Sequence, residues 1–213
     1  MKIEIYRFNL FEENTYVVYD NTGECVIVDP GCYSQEEQDF LLARIKKLTL
    51  KPKYIVNTHC HSDHILGVDF VKKTYNIPFV ANRADEYLLK DAQKFASAWG
   101  WNVKTGLEID IDAKEGHQIL FGNSKLEILH TPGHTPGQIA IYSNDDKFMF
   151  VGDTIFKGTV GRTDLPGGNY NQMMLSIREK ILKMPSDFVI FPGHGPETSI
   201  GVEIQTNPML FDD

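Results

Sequence analysis

Thr58-His59-Cys60-His61-Ser62-Asp63-His64 places three imidazoles and one carboxylate within six positions. The segment directly follows Lys53–Asn57, a short apolar run that reads as a buried strand. Two further histidines sit in Pro/Gly-rich loops after apolar strands. These are Thr131-Pro132-Gly133-His134-Thr135-Pro136-Gly137 and Phe191-Pro192-Gly193-His194-Gly195-Pro196. Asp153 follows another strand in the same way, in Phe150-Val151-Gly152-Asp153-Thr154. In layered αβ folds, ligand sites gather at strand ends, so these loops are expected to deliver their polar groups to one place.

Imidazole nitrogen and carboxylate oxygen suit zinc, iron or manganese and not a thiolate site. The candidate donors are His59, His61, Asp63, His64, His134, Asp153 and His194. They are too many for one tetrahedral ion. They match two divalent ions that share a carboxylate, each with a position left for water; zinc is the first expectation, with iron or manganese as the others. His117, in the turn 114–118, reads as an exposed residue. His130 reads as structural, with support of the neighbouring loop as its alternative. Cys60, between two histidines, is expected to point away from them.

Outward from these loops, strands and helices alternate. Ile3 and Ile5, Tyr16–Tyr19 and Cys25–Val28 read as a meander with a turn at Asp20–Gly23. Ser34 with Glu37 forms a capping box ahead of Leu41, Ile45 and Leu48 at helical spacing. A helix over 67–75 and a strand at Pro78–Ala81 follow. Leu88, Ala92, Phe95 and Trp99 then predict one long helix over about 85–99. The second half reads mostly as strands: Gln118–Phe121, Lys125–Leu129, Gln138–Tyr142 and Lys147–Val151. A helix through Met174, Ile177 and Ile181 precedes a last strand, Phe188–Phe191. Both halves run from strands into helices, which predicts an α/β architecture, a four-layer αβ/βα sandwich formed as a single domain over 1–213.

Composition narrows the function. The chain has 213 residues, 42% hydrophobic and 23% charged, with formal net charge −8. An acidic chain without a Lys/Arg block is a poor match for nucleic acid or for a polybasic membrane patch. No apolar run approaches the ~20 residues of a bilayer span. The N-terminus lacks an apolar signal region, and three cysteines are too few for a disulfide framework, so the cytoplasm is the expected location.

Val28-Asp29-Pro30-Gly31, the His59–His64 segment and the His134, Asp153 and His194 loops, in that order, resemble the metallo-β-lactamase superfamily over nearly the whole chain. The resemblance implies that His59, His61 and His134 hold one metal and that Asp63, His64 and His194 hold a second. Asp153 would bridge the two, and Asp29 would support the site from behind. Gly152-Asp153-Thr154-Ile155-Phe156, Gly161-Arg162-Thr163-Asp164, the His194 loop and Thr206-Asn207-Pro208 look most like the short bacterial branch of glyoxalase II. That likeness implies a small-molecule thioester substrate, such as a hydroxyacyl-glutathione, attacked by a metal-bridged hydroxide that Asp63 orients. Long glyoxalase II adds a C-terminal helical domain that holds glutathione; only a short tail follows His194 here, so the thiol is left open, as is the oligomeric state. The alternatives are a mononuclear iron persulfide dioxygenase, which also carries a segment like Arg162–Asp164, and a non-catalytic metal-binding module. Arg162 is expected to pair either with a substrate carboxylate or with Asp164. Phe95, Trp99 and Trp101 are either pocket wall or core.

Overall fold

The computed structural model describes residues 1–103 and 106–211. Its first sheet takes β1 (Lys2–Phe8), β2 (Glu13–Tyr19), β3 (Glu24–Val28), β4 (Lys51–Val56), β5 (Phe79–Ala81) and β6 (Ile111–Asp112) in sequence order. β1–β3 are antiparallel, and β3–β6 pair in parallel. The second sheet holds β7 (Gln118–Phe121), β8 (Ser124–His130), β9 (Ile139–Ser143) and β10 (Phe148–Gly152). After the small hairpin β11 (Ile155–Phe156) and β12 (Thr159–Val160), β13 (Val189–Pro192) and β14 (Thr198–Ser199) complete it. Its order is β14-β13-β10-β9-β8-β7, with β10 and β13 parallel and the other pairs antiparallel.

The central strands split their apolar residues between two cores because side chains alternate across a sheet. Val18, Val26 and Val28 of the first sheet meet Ile139, Ile141, Phe148 and Phe150 of the second. The intervening Val17, Cys25 and Ile27 face the other way, onto Leu41 and Ile45 of α1 (Gln35–Lys47) and Val68 and Val71 of α3 (Val68–Tyr75). On the far side, Ala140, Met149 and Val151 meet Met173, Met174 and Ile177 of α6 (Tyr170–Glu179) and Ile200 of α7 (Ile200–Thr206). Three cores between four layers make the αβ/βα sandwich, and burial on both faces explains the unbroken apolar runs of the central strands.

Local signals hold at α1, where the Ser34 side chain accepts from Glu37 N and Glu37 reaches back to the cap. The expected helix over 85–99 is instead a 3-10 turn at Arg83–Asp85, then α4 (Glu86–Lys90) and α5 (Ala92–Ser97), divided at Asp91 (φ −98°, ψ 10°). The burial stripe turns with the break: Leu88, Leu89, Ala92 and Ala96 are buried, while Trp99 is 54% exposed. Ile181 likewise falls in a 3-10 turn, Ile181–Lys183, beyond the end of α6. α7 lies outside the sequence reading, because Gly201 and the β-branched Ile200, Val202 and Ile204 hide its periodicity; Ser199 caps it. Among the described residues no helix is long and apolar enough to cross a membrane.

Candidate metal centre

The seven predicted donors meet at one end of the sandwich. Asn57 closes the loop after β4, its Nδ2 donating to the His64 carbonyl (2.7 Å) and more weakly to that of His59 (3.4 Å). His61 then stands just before the single-turn helix α2 (Ser62–Ile65), which carries Asp63 and His64. The His194 loop is pinned to β2. Asn14 N donates to Gly193 O, Asn14 Nδ2 to Pro192 O and Gly195 O, and Tyr16 Oη to Pro192 O. A Cβ at Gly193 would lie 2.1 Å from Asp153 Oδ1 and 2.8 Å from His64 Cε1, so only glycine lets this loop close on the centre.

Two triads of donor atoms lie within reach of a single ion each: His59, His61 and His134, and Asp63, His64 and His194. His61 Nδ1 is 2.8 Å from His134 Nε2, and Asp63 Oδ2 is 3.2 Å from His194 Nε2. Asp153 lies between the triads, 3.6 Å from His134 Nε2, 3.6 Å from His64 Nε2 and 3.7 Å from His194 Nε2. The buried atoms His59 Nε2, His64 Nε2 and Asp153 Oδ1 have no hydrogen-bond partner. Orphaned buried donors of this kind are costly in a protein interior, and metal ions would satisfy all three. The residues fit a metal centre.

The rear face of the centre is closed by hydrogen bonds that fix the rings. Asp29, in the left-handed region at φ 47°, accepts from Thr58 N (2.7 Å) and Thr58 Oγ1 (2.6 Å) and lies 3.1 Å from His64 Nδ1. A third donor cluster, Asp29 with His59 and His64, is therefore this supporting layer. His134 Nδ1 faces the Arg162 carbonyl (2.7 Å) and His194 Nδ1 the Phe11 carbonyl (3.0 Å). In His64, His134 and His194 the Nδ1 atoms are thus taken from behind, which leaves Nε2 toward the centre.

Burial is the main reason His59 stays far below the ordinary imidazole range, with His64 and His134 adding to it. Burial, then His134, pushes His61 down to about 3. Both rings keep a free lone pair at neutral pH. Burial alone would raise Asp63, but His64 and His194 beside it carry it below the usual carboxylate range. Burial would likewise lower His64, and Asp63 and Asp153 overcome it and raise the ring well above its ordinary value.

Of the residues set aside, Cys60 is buried and belongs to neither triad, and burial, then Asp85, pushes its thiol well above the ordinary range. His117 is half-buried and not exposed as expected, because its turn carries backbone bonds to Lys114 and Ile128. His130 takes its alternative role: its Nε2 lies 2.9 Å from the Pro136 carbonyl, bracing the loop that bears His134.

Several residues that hold the site have no signal of their own in the sequence. Asp85, fully buried, accepts from Cys60 N (3.1 Å), Thr135 Oγ1 (2.8 Å) and Gly137 N (2.7 Å), so one carboxylate ties the His59–His61 loop to the His134 loop. Its position just past β5 is the cue that could have found it. Asn9, at φ 55°, donates from Nδ2 to the Asp63 and Gly31 carbonyls and accepts from Phe11 N.

The centre opens into a cavity of about 620 Å³ lined by His61, Asp63, His134, Asp153 and His194. Its other lining residues include Phe11, Lys94, Phe95, Trp99, Trp101 and Arg162. Arg162 gives both Nε and Nη2 to the carboxylate of Asp164 (2.7 and 2.8 Å), the internal pairing of its two expected ones.

A four-layer αβ/βα sandwich with imidazoles and carboxylates converging at one end defines a class of proteins built around a metal centre. The chain belongs to the metallo-beta-lactamase superfamily, whose family model matches residues 9–194. It is 35% identical to the hydroxyacylglutathione hydrolase GloC of Haemophilus influenzae, over 99% of this chain and 98% of that one. Among solved structures it resembles BLEG-1, a B3 metallo-beta-lactamase, at TM-score 0.91 and 32% identity over 99% of this chain and 100% of that one. It also resembles TTHA1623 in a di-iron-bound form, at TM-score 0.86 and 35% identity over 97% and 100%. ETHE1 from Myxococcus xanthus shares the fold at TM-score 0.80 and 23% identity, over 99% of this chain and 84% of that one.

Proposed function

We propose that this chain is a two-metal hydrolase of acyl thioesters. His59, His61 and His134 would hold one ion, and Asp63, His64 and His194 the other, with Asp153 shared. The reading is carried by Asp153, whose carboxylate faces ring nitrogens of both triads at 3.6–3.7 Å. The likeness to GloC supports the thioester class, and the likeness to the di-iron form of TTHA1623 keeps iron beside zinc as a candidate metal.

Bound divalent ions there would supply Lewis acidity toward a carbonyl and a water acidified from ~15.7 toward ~7. The chain's own residues then do the positioning. Asp63 lines the cavity while its Oδ2 is held toward His64 and His194, so its carboxylate is placed to accept a hydrogen bond from the attacking water and orient it. Phe11 and Trp101 line the cavity beside the donors, so a bound acyl group would displace water there and strengthen the polar contacts made to it. A thiolate leaves with little protonation, and no further acid is required of the protein.

The test is metal analysis of natively expressed protein together with hydrolysis of S-lactoylglutathione and simple acyl thioesters, read by thiol release. Two ions per chain and thioester turnover are expected. One iron per chain, oxygen uptake with a persulfide and no thioester cleavage would overturn the reading in favour of a dioxygenase.

A further inference from the structure

The cavity has a second half that the chemistry above does not use. Phe11, Phe95, Trp99 and Trp101 line it together, and both tryptophans of the chain are among them. Phe11 is the hub: its ring meets Trp99 edge-on at 4.7 Å and Trp101 at 5.1 Å. Trp99 is nevertheless 54% exposed, a large apolar face left at the mouth of a cavity that already holds the metal donors. Two cations share the lining, and they are not equivalent. Arg162 is neutralised by the two-pronged pair with Asp164. Lys94, on α5, is exposed and has no hydrogen bond or ion pair among the described residues. The wall is also registered to the donors, because the Phe11 carbonyl that receives His194 Nδ1 belongs to the residue whose ring anchors both tryptophans.

We propose that Phe11, Phe95, Trp99, Trp101 and Lys94 form a subsite for the non-reacting end of the substrate. The handle it takes is flat and apolar and ends in a carboxylate. The inference rests on the proposed thioester hydrolase and names its substrate class. The aromatic faces accept the apolar body, and the unpaired ammonium accepts the carboxylate. Since Phe11 joins the wall to His194, binding energy from the handle is transmitted as a fixed distance to the reacting carbonyl, and it therefore raises kcat/KM.

The experiment compares the lactoyl thioester of 4-(mercaptomethyl)benzoate with that of its carboxamide, at matched metal loading. The acid is expected to be preferred by about tenfold in kcat/KM. Lys94→Met should bring the ratio close to one and Lys94→Glu should invert it. Lys90→Met, on α4 and outside this cavity, should leave the ratio unchanged. A second readout needs no turnover. The S-methyl thioether of the same benzoate, titrated into the metal-loaded protein, should shift tryptophan fluorescence and bind about tenfold more tightly than its amide, a difference that Lys94→Met removes. Equal binding of acid and amide, or an acid preference that survives Lys94→Glu, would overturn the subsite. Turnover of both thioesters without preference would sink the subsite and spare the hydrolase. Acid-selective fluorescence binding with no thioester turnover would sustain the subsite while the hydrolase reading fell.

Discussion

His134 and Trp99 line the same cavity and are held in different ways. His134 is 2% exposed, its Nδ1 faces the Arg162 carbonyl, its Nε2 faces His61 and Asp153, and Thr135 beside it is tied to Asp85. Trp99 is 54% exposed, just past the six-residue helix α5, and its ring has an edge contact with Phe11. The donors are over-determined from behind, whereas the wall is loosely held at its exposed edge, Trp99; Trp101 behind it is buried with Leu66 and Ala96. A reaction centre must keep its geometry within fractions of an ångström, while a handle site can vary without disturbing it. The two regions should therefore respond differently to mutation.

The strongest way to break this comparison is Asp153→Ala. Because Asp153 faces both triads, both ions should be depleted and hydrolysis abolished, measured as metal per chain and as turnover. Two retained ions with near-normal turnover would show that the centre does not depend on its shared carboxylate.

Asp29→Asn tests the support behind the donors. Asp29 accepts from Thr58 twice and faces His64 Nδ1; an amide cannot serve all three as an acceptor. Loss of such a supporting partner costs roughly 10–100-fold in metal affinity. Competition against a metal buffer should show that drop while the fold survives.

Much of this centre was legible in the sequence because its donors come as short-range motifs. His59 through His64 lie in one loop and one helical turn, and His134, Asp153 and His194 each follow an apolar strand directly. The sandwich was legible because short apolar runs such as Cys25–Val28 alternate along the chain with helical spacings such as Leu41, Ile45 and Leu48; how each run divides between two cores appears only once the sheets are layered. What holds the donors was not legible. Asp85 acts on Thr135, 50 positions away, and Asn14 on the His194 loop, about 180 away. No periodicity reports such pairings, which exist only once the sheets face each other. The two-residue strands β6, β11, β12 and β14 were hidden likewise, being defined by their partners and not by their own residues. The break at Asp91 was obscured by the regular spacing of Leu88, Ala92, Phe95 and Trp99.

Asp85→Asn asks whether a residue found only in the structure matters as much as one read from the sequence. Its carboxylate satisfies three donors, two of them backbone N–H groups, in a buried place. An amide leaves at least one of them without an acceptor, which costs roughly 1–3 kcal/mol. Urea unfolding of the metal-loaded protein should show that loss. The accompanying fall in turnover should be smaller than for Asp29→Asn, since Asp85 touches the loops and no ligand ring.

The smallest effect on the centre is expected from Trp99→Ala. His194 is held by the Phe11 carbonyl, and Trp99 meets the Phe11 ring and not that carbonyl, so removing the indole leaves the hydrogen bond in place. With over half of the residue's surface already exposed, the stability loss should stay under about 1 kcal/mol. Metal content should match the parent protein. The change should instead fall on KM for thioesters with an aromatic handle, which should rise several-fold with kcat little altered, the pattern of lost uniform binding. Steady-state kinetics and metal analysis on one preparation check both statements together. A loss of metal with Trp99 would mean that the wall helps build the centre, and the contrast between the two regions would fail at Phe11, the residue they share.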